Sequence, residues 1–277
     1  MTFLGHTARK NFGQHWLKDK TILRKILEVA EISPSDIILE IGPGRGALTK
    51  YLLASLALFT YAVELDRDLA FMLRKQLGFS SRLALVEADI LNIDFLSQGK
   101  CRPNKVVANI PYNITGLLLE NLLGTLITPA VRPYERIVLL VQKEVGERIC
   151  AHPGDSNYGA LSVRMQLLAR CYNICEVRPS CFQPPPSVKS LVLVLKPLPT
   201  QDLLIPNLAS QVDKLLNLCF SSRRKMLRST LPKLIDRDCL ENLMIETGVD
   251  LHQRPQEVSP AAWVKLAMNL NGLPLNS

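Results

Sequence analysis

A short polar and aromatic motif follows an apolar segment near the middle of the chain. Residues 109–112 read Asn-Ile-Pro-Tyr and come directly after the apolar run 106–108, which is typical of a buried strand. The side-chain oxygen of Asn109 and the carbonyl of Ile110 could accept the two hydrogens of an adenine amino group and favour the tetrahedral geometry that attack requires. Tyr112 could stack on the ring, and the proline has no competing N–H and a fixed φ. The motif is suited to holding adenine, although Asn and Pro are also common in simple turns.

A glycine-rich loop lies at the end of an earlier strand candidate. Residues 40–46, Glu-Ile-Gly-Pro-Gly-Arg-Gly, follow the apolar run 37–39 and precede a helical pattern over 47–53. In this context a nucleotide-type ligand lies against a helix N-terminus, and glycines permit positive φ and close backbone approach. The pattern G-P-G-x-G differs from the G-x-G-x-x-G of dinucleotide-binding proteins, and a tight turn between strand and helix would use the same residues.

Two further strand candidates end in carboxylates. Residues 58–63 lead to Glu64, and residues 83–86 lead to Glu87, Asp89 and Ile90. A carboxylate at the tip of the second strand, about 20 residues after the loop, is where a ribose diol is held. A carboxylate after the third strand can accept the amino group of the ligand's own adenine. Each acid alone would be interpreted as a solvated loop charge, but in this order they predict one ligand site at the carboxyl edge of a sheet.

The chemistry that these groups indicate is methyl transfer from S-adenosylmethionine to an adenine nitrogen. The sulfonium is already activated, so catalysis would be mainly in-line positioning, which can supply roughly 7–11 kcal/mol of the barrier. No base is evident in the motif, so we expect the nitrogen to lose its proton to water. No metal is expected either, because the one close cysteine group, Cys171, Cys175 and Cys181, matches no zinc-binding spacing and has no histidine near it.

Composition and charge narrow the class of protein. The chain has 277 residues, 47% of them hydrophobic, which is enough for one large domain or one large and one small domain. The polar, basic N-terminus and the absence of a transmembrane-length apolar run predict a cytoplasmic protein without a membrane partner. Seven cysteines fit reduced thiols in that compartment. A net charge of +8 indicates an anionic partner such as nucleic acid.

The positive charge is concentrated in two clusters that fit a track for phosphates. One is Arg9 and Lys10 near the N-terminus; the other comprises Arg223, Arg224 and Lys225 with Arg228 and Lys233. Arg224 and Arg228 have helical i, i+4 spacing, although a charged helix face is more often merely solvated.

The elements that must position these residues alternate between strands and helices. Periodicity predicts a helix over 19–32, then strands near 37–41, 58–64, 83–87, 105–110 and 137–141 with helices between them, and further strands over 171–177 and 188–195. This alternation predicts an α/β fold with a mostly parallel sheet. Beyond the prolines at 197 and 199 only helices are predicted, near 208–219, 223–231, 237–247 and 260–270. We therefore expect an arm over 1–18, a large domain over 19–199 and a small helical domain over 200–277.

These motifs occur together in one known family. The segments 9–17, 40–49, 62–66, 87–90 and 109–114, the loop around Phe182 and residues 222–227 occur in family order. The chain resembles the bacterial small-subunit ribosomal RNA adenine N6,N6-dimethyltransferases over essentially its full length. The resemblance implies a Rossmann-like class I methyltransferase sheet, S-adenosylmethionine as donor, and dimethylation of two adjacent adenosines near the 3′ end of 16S-type rRNA. It also implies that the substrate is a pre-30S particle, late in assembly; a monomer is the default expectation.

The resemblance also implies roles for individual residues. Asn109, Ile110 and Tyr112 would hold the target adenine, with Phe182 on its other face, since base-modifying enzymes stack an extruded base between rings. The implied S-adenosylmethionine site comprises His15, Leu17, Gly42, Gly44, Glu64, Asp89, Ile90 and Asn109. The implied RNA contacts are the two basic clusters. Phe182 could instead be a core aromatic that anchors the proline-rich loop.

The chain departs from the common family pattern at His15, Trp16 and Arg45, which bears on cofactor affinity but not on the reaction. Three alternatives remain open: a resistance-type methyltransferase of a large-subunit rRNA adenine, an N6-adenine DNA methyltransferase, and a non-catalytic RNA-binding assembly or transcription factor. The second basic cluster and the Phe182 loop favour the small-subunit enzyme. Ile110, where DNA enzymes usually have proline, argues against the second alternative, and the intact acids and Asn109 argue against the third.

Overall fold

The structure is a computed structural model that describes residues 14–93, 101–131, 134–236 and 239–270. Arg9 and Lys10 of the predicted RNA-binding arm lie outside these residues. The helices in the described ranges are α1 (Lys20–Ala30), α2 (Ala47–Ala54), α3 (Arg67–Leu77), α4 (Thr115–Leu123), α5 (Lys143–Cys150), α6 (Ala160–Leu168), α7 (Pro206–Phe220), α8 (Leu227–Thr230), α9 (Cys239–Thr247) and α10 (Pro260–Leu270). The strands are β1 (Trp16–Leu17), β2 (Ile37–Ile41), β3 (Phe59–Glu64), β4 (Leu83–Glu87), β5 (Lys105–Asn109), β6 (Arg136–Gln142), β7 (Ala169–Val177), β8 (Phe182–Gln183) and β9 (Ser190–Pro197).

Seven strands form one mixed sheet in the order β4-β3-β2-β5-β6-β9-β7. The first five of these pair in parallel, and β9 runs antiparallel to β6. The carboxyl ends of β2, β3, β4, β5 and β6 therefore meet at one edge of the sheet, which we call the carboxyl edge; the opposite edge is the amino edge. The predicted α/β fold with a mostly parallel sheet is confirmed.

Local sequence explains where the helices beside the sheet begin. Asp19 caps α1, because its carboxylate accepts hydrogen bonds from the backbone N–H groups of Thr21 and Ile22 at 2.8 and 3.1 Å. Asp66 caps α3 in the same manner. The apolar face of α1, formed by Leu23, Ile26 and Ala30, packs into the core against sheet residues such as Val107 and Val138.

A two-stranded ribbon is present that no local sequence pattern predicted. β1 pairs antiparallel with β8, with Trp16 opposite Gln183 and Leu17 opposite Phe182. The N–H of Lys18 also donates to the carbonyl of Cys181 at 2.9 Å. The ribbon joins the end of the predicted arm to the proline-rich loop.

The chain divides into two compact units. The first comprises residues 1–123, 132–146 and 172–197, and contains β2 to β6, β9 and the ribbon. The second comprises residues 124–131, 147–171 and 198–277, so α6 belongs with the helices that follow residue 198. The division into domains over 19–199 and 200–277 stays a prediction, with the addition that residues 147–171 pack within the second unit.

One predicted helix is shorter than expected. Residues 221–225 form turns, with the N–H of Lys225 donating to the carbonyl of Ser222 at 2.8 Å, and α8 begins only at Leu227. The prediction that Arg224 and Arg228 share one helix face is therefore wrong. No helix among the described residues has the length and apolar character needed to cross a membrane.

Candidate active site

The glycine loop between β2 and α2 has the backbone conformation that its sequence predicts. Gly42, Gly44 and Gly46 have φ of 66°, 55° and 74°, a region that side-chain-bearing residues rarely adopt. A Cβ at Gly44 would lie 2.6 Å from Cδ1 of Trp16, so the indole packs directly on the loop backbone. The Arg45 guanidinium stacks over the Trp16 indole, with its central carbon 3.8 Å from the ring centre. The loop and β1 thus form one continuous wall.

Glu64, at the carboxyl end of β3, is fixed by backbone hydrogen bonds. Its Oε2 accepts from the N–H of Gly44 at 2.9 Å, and its Oε1 accepts from the N–H of Asp66 at 3.0 Å. Burial raises the pKa of Glu64, and these two hydrogen bonds act in the opposite direction. The backbone N–H of Leu65 also favours the charged form of Glu64, and because a carboxylate offers about four acceptor positions, acceptor capacity remains for a ligand hydroxyl.

Asn109, at the carboxyl end of β5, has one half of its amide engaged. Its Nδ2 donates to the backbone carbonyl of His15 at 2.9 Å. Within the described part of the chain its side-chain oxygen accepts no hydrogen bond. That oxygen can therefore accept a hydrogen bond from a ligand. The backbone carbonyl of His15 holds the amide in this orientation.

Tyr112 stands at the start of a short turn before α4, and two neighbours fix its ring. Its hydroxyl lies 2.6 Å from Oγ of Ser190, a side chain that is fully buried at the start of β9. The His15 imidazole stacks on the ring with centroids 5.8 Å apart and an interplanar angle of 25°. Burial raises the pKa of Tyr112, so the phenol is neutral at physiological pH.

These groups line one open cleft at the carboxyl edge, with a volume of about 670 Å³ when the solvent at its mouth is included. The predicted site residues that it brings together are His15, Gly42, Gly44, Glu64, Asn109, Ile110 and Tyr112. The cleft thus combines the predicted cofactor loop and the predicted adenine-binding motif. Gln14, Trp16, Leu65, Asp66 and Leu69 also line it.

Three predicted cofactor residues are not among the residues that line this cleft. Leu17 is 4% exposed and borders a smaller adjoining cavity with Glu40, Gly42 and Asn109. Asp89 is half-buried, and its carboxylate accepts from the N–H of Leu91 at 3.0 Å and from the Asn92 side chain at 3.1 Å. Ile90 is buried.

The structure does not bring Phe182 to the cleft. Its ring is 1% exposed and belongs to the core cluster that includes Leu17 and Val177. The pairing of β8 with β1 turns this side chain into the core, which is the alternative interpretation given to it above. Its expected position against the target adenine is corrected accordingly.

Three polar residues of the site were not singled out from the sequence. Asp66 accepts from Gln14 Nε2 at 3.0 Å while it caps α3, and its place two residues after the β3 acid was a signal that could have been used. Glu40 is 1% exposed, and burial raises its pKa to about 8. Ser190 had no local signal, because its role depends on a contact 78 residues away along the chain.

The second basic cluster lies in the second unit. Arg223, Arg224, Lys225 and Arg228 are all exposed, and Arg223 Nη2 donates to the Ser156 carbonyl at 3.0 Å. Across the described ranges, no three His, Cys, Asp or Glu side chains are grouped as a metal site would require.

Comparison with known proteins gives a consistent result. The family model described as ribosomal RNA adenine dimethylase matches residues 5–271. The ribosomal RNA small subunit methyltransferase A of Synechococcus sp. (strain WH7803) is 54% identical over 271 residues, covering 98% of this chain and 97% of that protein. The protein of the same name from Prochlorococcus marinus (strain MIT 9303) is 53% identical, covering 98% and 97% respectively.

Two solved structures share the fold over most of the chain. A dimethyladenosine transferase from Plasmodium falciparum superposes with a TM-score of 0.75 at 29% identity, covering 94% of this chain and 99% of that one. A 23S rRNA methyltransferase superposes with a TM-score of 0.73 at 26% identity, covering 92% and 99%.

Proposed function

The chain belongs to the ribosomal RNA adenine dimethylase family, and we propose that it dimethylates N6 of two adjacent adenosines near the 3′ end of 16S-type rRNA. The observation that carries the proposal is the orientation of Asn109. Its amide nitrogen is engaged by the His15 carbonyl, so its oxygen is left to accept a hydrogen from an adenine amino group. This amide lines the same cleft as the glycine loop and Glu64.

The residues of the cleft fit S-adenosylmethionine. When bound, this cofactor supplies a methyl group on a positively charged sulfur. The glycine backbone at 42–44 permits close approach, and Glu64 retains acceptor capacity for a ribose hydroxyl. His15, which also lines the cleft, is a further proposed contact of the cofactor. Leu17, Asp89 and Ile90 stay proposed cofactor contacts on sequence grounds.

The target adenine would be held by the 109–112 motif. Asn109 Oδ1 and the Ile110 carbonyl would accept the two N6 hydrogens and direct the nitrogen lone pair toward the methyl donor. Tyr112, fixed by Ser190, would stack on the ring, which is worth roughly 1–3 kcal/mol per base. In this proposal the proton leaves to water, and alignment of the reacting atoms provides the catalysis.

The proposed substrate is a pre-30S particle in the cytoplasm, and the enzyme acts as a monomer without a metal ion. The net charge of +8 and the exposed cluster Arg223, Arg224, Lys225 and Arg228 support an RNA partner. Arg9 and Lys10 belong to the same proposal on sequence grounds.

The test is transfer of labelled methyl groups to under-methylated small subunits, followed by primer extension across both rRNAs. We expect stops at two adjacent adenosines near the 3′ end of the small-subunit rRNA. Modification confined to the large-subunit rRNA would instead support the resistance-type activity, which the similarity to a 23S rRNA methyltransferase keeps as second candidate. Duplex DNA as the better acceptor would point to a DNA methyltransferase, and no incorporation with fresh cofactor would point to a non-catalytic binding factor.

A further inference from the structure

The imidazole of His15 is anchored both by its place in the chain and by one of its own nitrogens. His15 directly precedes β1, and Trp16 of that strand lies opposite Gln183, so the antiparallel register brings His15 beside Pro184. His15 Nδ1 lies 2.9 Å from the Pro184 carbonyl oxygen. Because a carbonyl oxygen only accepts, Nδ1 carries the proton and donates. The ring that lines the cleft is therefore attached to the proline-rich loop.

Two contacts hold Tyr112, and they reach different parts of its side chain. Ser190 Oγ lies 2.6 Å from the hydroxyl. The His15 imidazole stacks on the ring, with centroids 5.8 Å apart and 25° between the planes, within the range in which aromatic pairs attract. This separation is too small to admit a base between the two rings. A base that stacks on Tyr112 therefore uses the face opposite His15.

His15 also contacts Asn109, but through its backbone. Its carbonyl accepts a hydrogen bond from Asn109 Nδ2 at 2.9 Å, whereas the contact with Tyr112 is made by the imidazole. One residue thus supports both side chains of the motif proposed to hold the target. A substitution at position 15 removes the contacts of the ring and keeps the backbone carbonyl, so the two forms of support can be separated by experiment.

We propose that the His15 imidazole is a positioning residue for the target adenine. It backs one face of Tyr112, so that the adenine stacks on the other face and the three rings form consecutive layers. The inference rests on the proposed function, because it takes an adenine as the base that stacks on Tyr112. It gives His15 a role on the target side of the cleft, in addition to its proposed contact with the cofactor. No proton or group passes through the imidazole in this role.

The test is labelled-methyl transfer to under-methylated small subunits at saturating S-adenosylmethionine, where changes in cofactor affinity do not affect the rate. We expect His15→Ala to lower kcat/KM for the subunits by about 2–12-fold, the effect of losing one aromatic pair. His15→Phe keeps a ring and loses Nδ1, so it should retain most of the wild-type value. His15→Asn keeps an N–H donor for Pro184 and loses the ring, so it should fall as far as His15→Ala.

A double variant distinguishes positioning through Tyr112 from a general effect on the fold. In Tyr112→Ala the stack is already broken, so the addition of His15→Ala should lower kcat/KM no further. The matched control is Phe71→Ala, which removes an exposed aromatic ring on α3 that is not among the residues lining the cleft. This control should keep the wild-type value.

Three results would overturn the positioning role and leave the proposed function standing, provided that the wild-type chain methylates the subunits. The first is a wild-type value for both His15→Ala and His15→Asn. The second is recovery by His15→Asn and not by His15→Phe, because the hydrogen bond to Pro184 would then matter and the ring would not. The third is additive losses in the double variant. If the wild-type chain does not methylate the subunits, the proposed function fails and the positioning role fails with it.

Discussion

The two edges of the central sheet use polar residues in opposite ways. At the amino edge, Lys105 Nζ donates to Asp36 Oδ2 at 2.7 Å and to the Glu31 carbonyl at 2.5 Å. Asn104 donates to the other oxygen of Asp36 at 2.8 Å, and Arg136 pairs with Glu31 and donates to the Val29 carbonyl. Lysine and arginine here also satisfy the last carbonyls of α1, where cations are favoured.

At the carboxyl edge the polar groups of the same strands are buried but incompletely satisfied by protein. Among the described residues Glu40 Oε2 is buried without a hydrogen-bond partner of good geometry, although its neighbour Thr49 favours the charged form, and the Asn109 side-chain oxygen accepts no hydrogen bond. The pKa of Asp36 is lowered despite burial, because Lys105, Ser33 and Asn104 favour its charged form, whereas burial raises the pKa of Glu40 and Glu64. One edge holds the sheet together, and the other retains capacity for ligands.

The largest effect on stability should come from the amino edge. Lys105→Met leaves the Asp36 carboxylate, 3% exposed, without its cation, and breaking a buried pair on one side costs about 3–5 kcal/mol. The free energy of unfolding from denaturant titration would measure this loss. Lys25→Met, which breaks an exposed pair with Glu28, is the control and should change stability by less than about 1 kcal/mol. Equal losses for the two variants would mean that the amino edge has no special role in stability.

The complementary change at the carboxyl edge should affect rate more than stability. Asn109→Ala removes the acceptor proposed for the target amino group, and loss of one such positioned group costs about 10²–10³-fold in rate. Stability should fall by only about 0.5–1.5 kcal/mol, the usual contribution of one hydrogen bond such as that to His15. Initial rates of labelled-methyl transfer and denaturant titration of the same preparation measure both.

Asn121→Ala is the control for this variant, because Asn121 is exposed on α4 with a single 3.4 Å hydrogen bond to Leu91. If Asn109→Ala methylated small subunits at the wild-type rate, the amide would have no part in catalysis. If it bound them normally and failed to methylate, the reading as a binding factor alone would be excluded.

The pH dependence of the free energy of unfolding would test the buried carboxylate at the carboxyl edge. The pKa of Glu40 is about 8 in the folded protein and near 4.5 in the unfolded chain. Below pH 4.5 the carboxyl group is protonated in both states, so its raised pKa does not reduce the free energy of unfolding there. As pH rises toward 8, the unfolded chain releases this proton and the folded chain retains it, so stability falls. We expect wild type to lose on the order of 2–3 kcal/mol between pH 5 and pH 8, and Glu40→Gln to reduce that loss. Parallel pH curves for the two proteins would contradict this, and Glu28→Gln serves as an exposed control.

The features that sequence could predict are those encoded locally. The alternation of apolar runs with helical periodicity predicted the strands near 37–41, 83–87 and 105–110 to within one residue of their observed ends. The acids and amide at those strand ends were expected at one edge, because parallel strands place their carboxyl ends together, and Glu64 and Asn109 do line one cleft.

The features that sequence could not predict depend on distant pairing. Phe182 has the same local sequence whether its ring faces a ligand or the core; the β1–β8 register decides, and it buries the ring beside Leu17. Glu40 lies within the predicted strand 37–41, but nothing in its local sequence showed that the packing of the sheet would bury its carboxylate. Ser190 meets Tyr112 only because β9 adds to β6 in the sheet, an order that no local pattern specifies.

The smallest expected effect concerns that last contact and sharpens the comparison, since here a carboxyl-edge group has a hydrogen-bond partner within the protein. Ser190→Ala and Tyr112→Phe each remove one partner of the 2.6 Å hydrogen bond, worth about 0.5–1.5 kcal/mol, or roughly 3–10-fold in kcat. If Ser190 acts by positioning the Tyr112 ring, the double variant should lose no more than either single variant, and cofactor binding should stay constant. Ser190→Thr, which keeps the hydroxyl, should recover most of the rate. Additive losses would show that the two residues act independently, and that the Tyr112 ring is held by its contact with His15 alone.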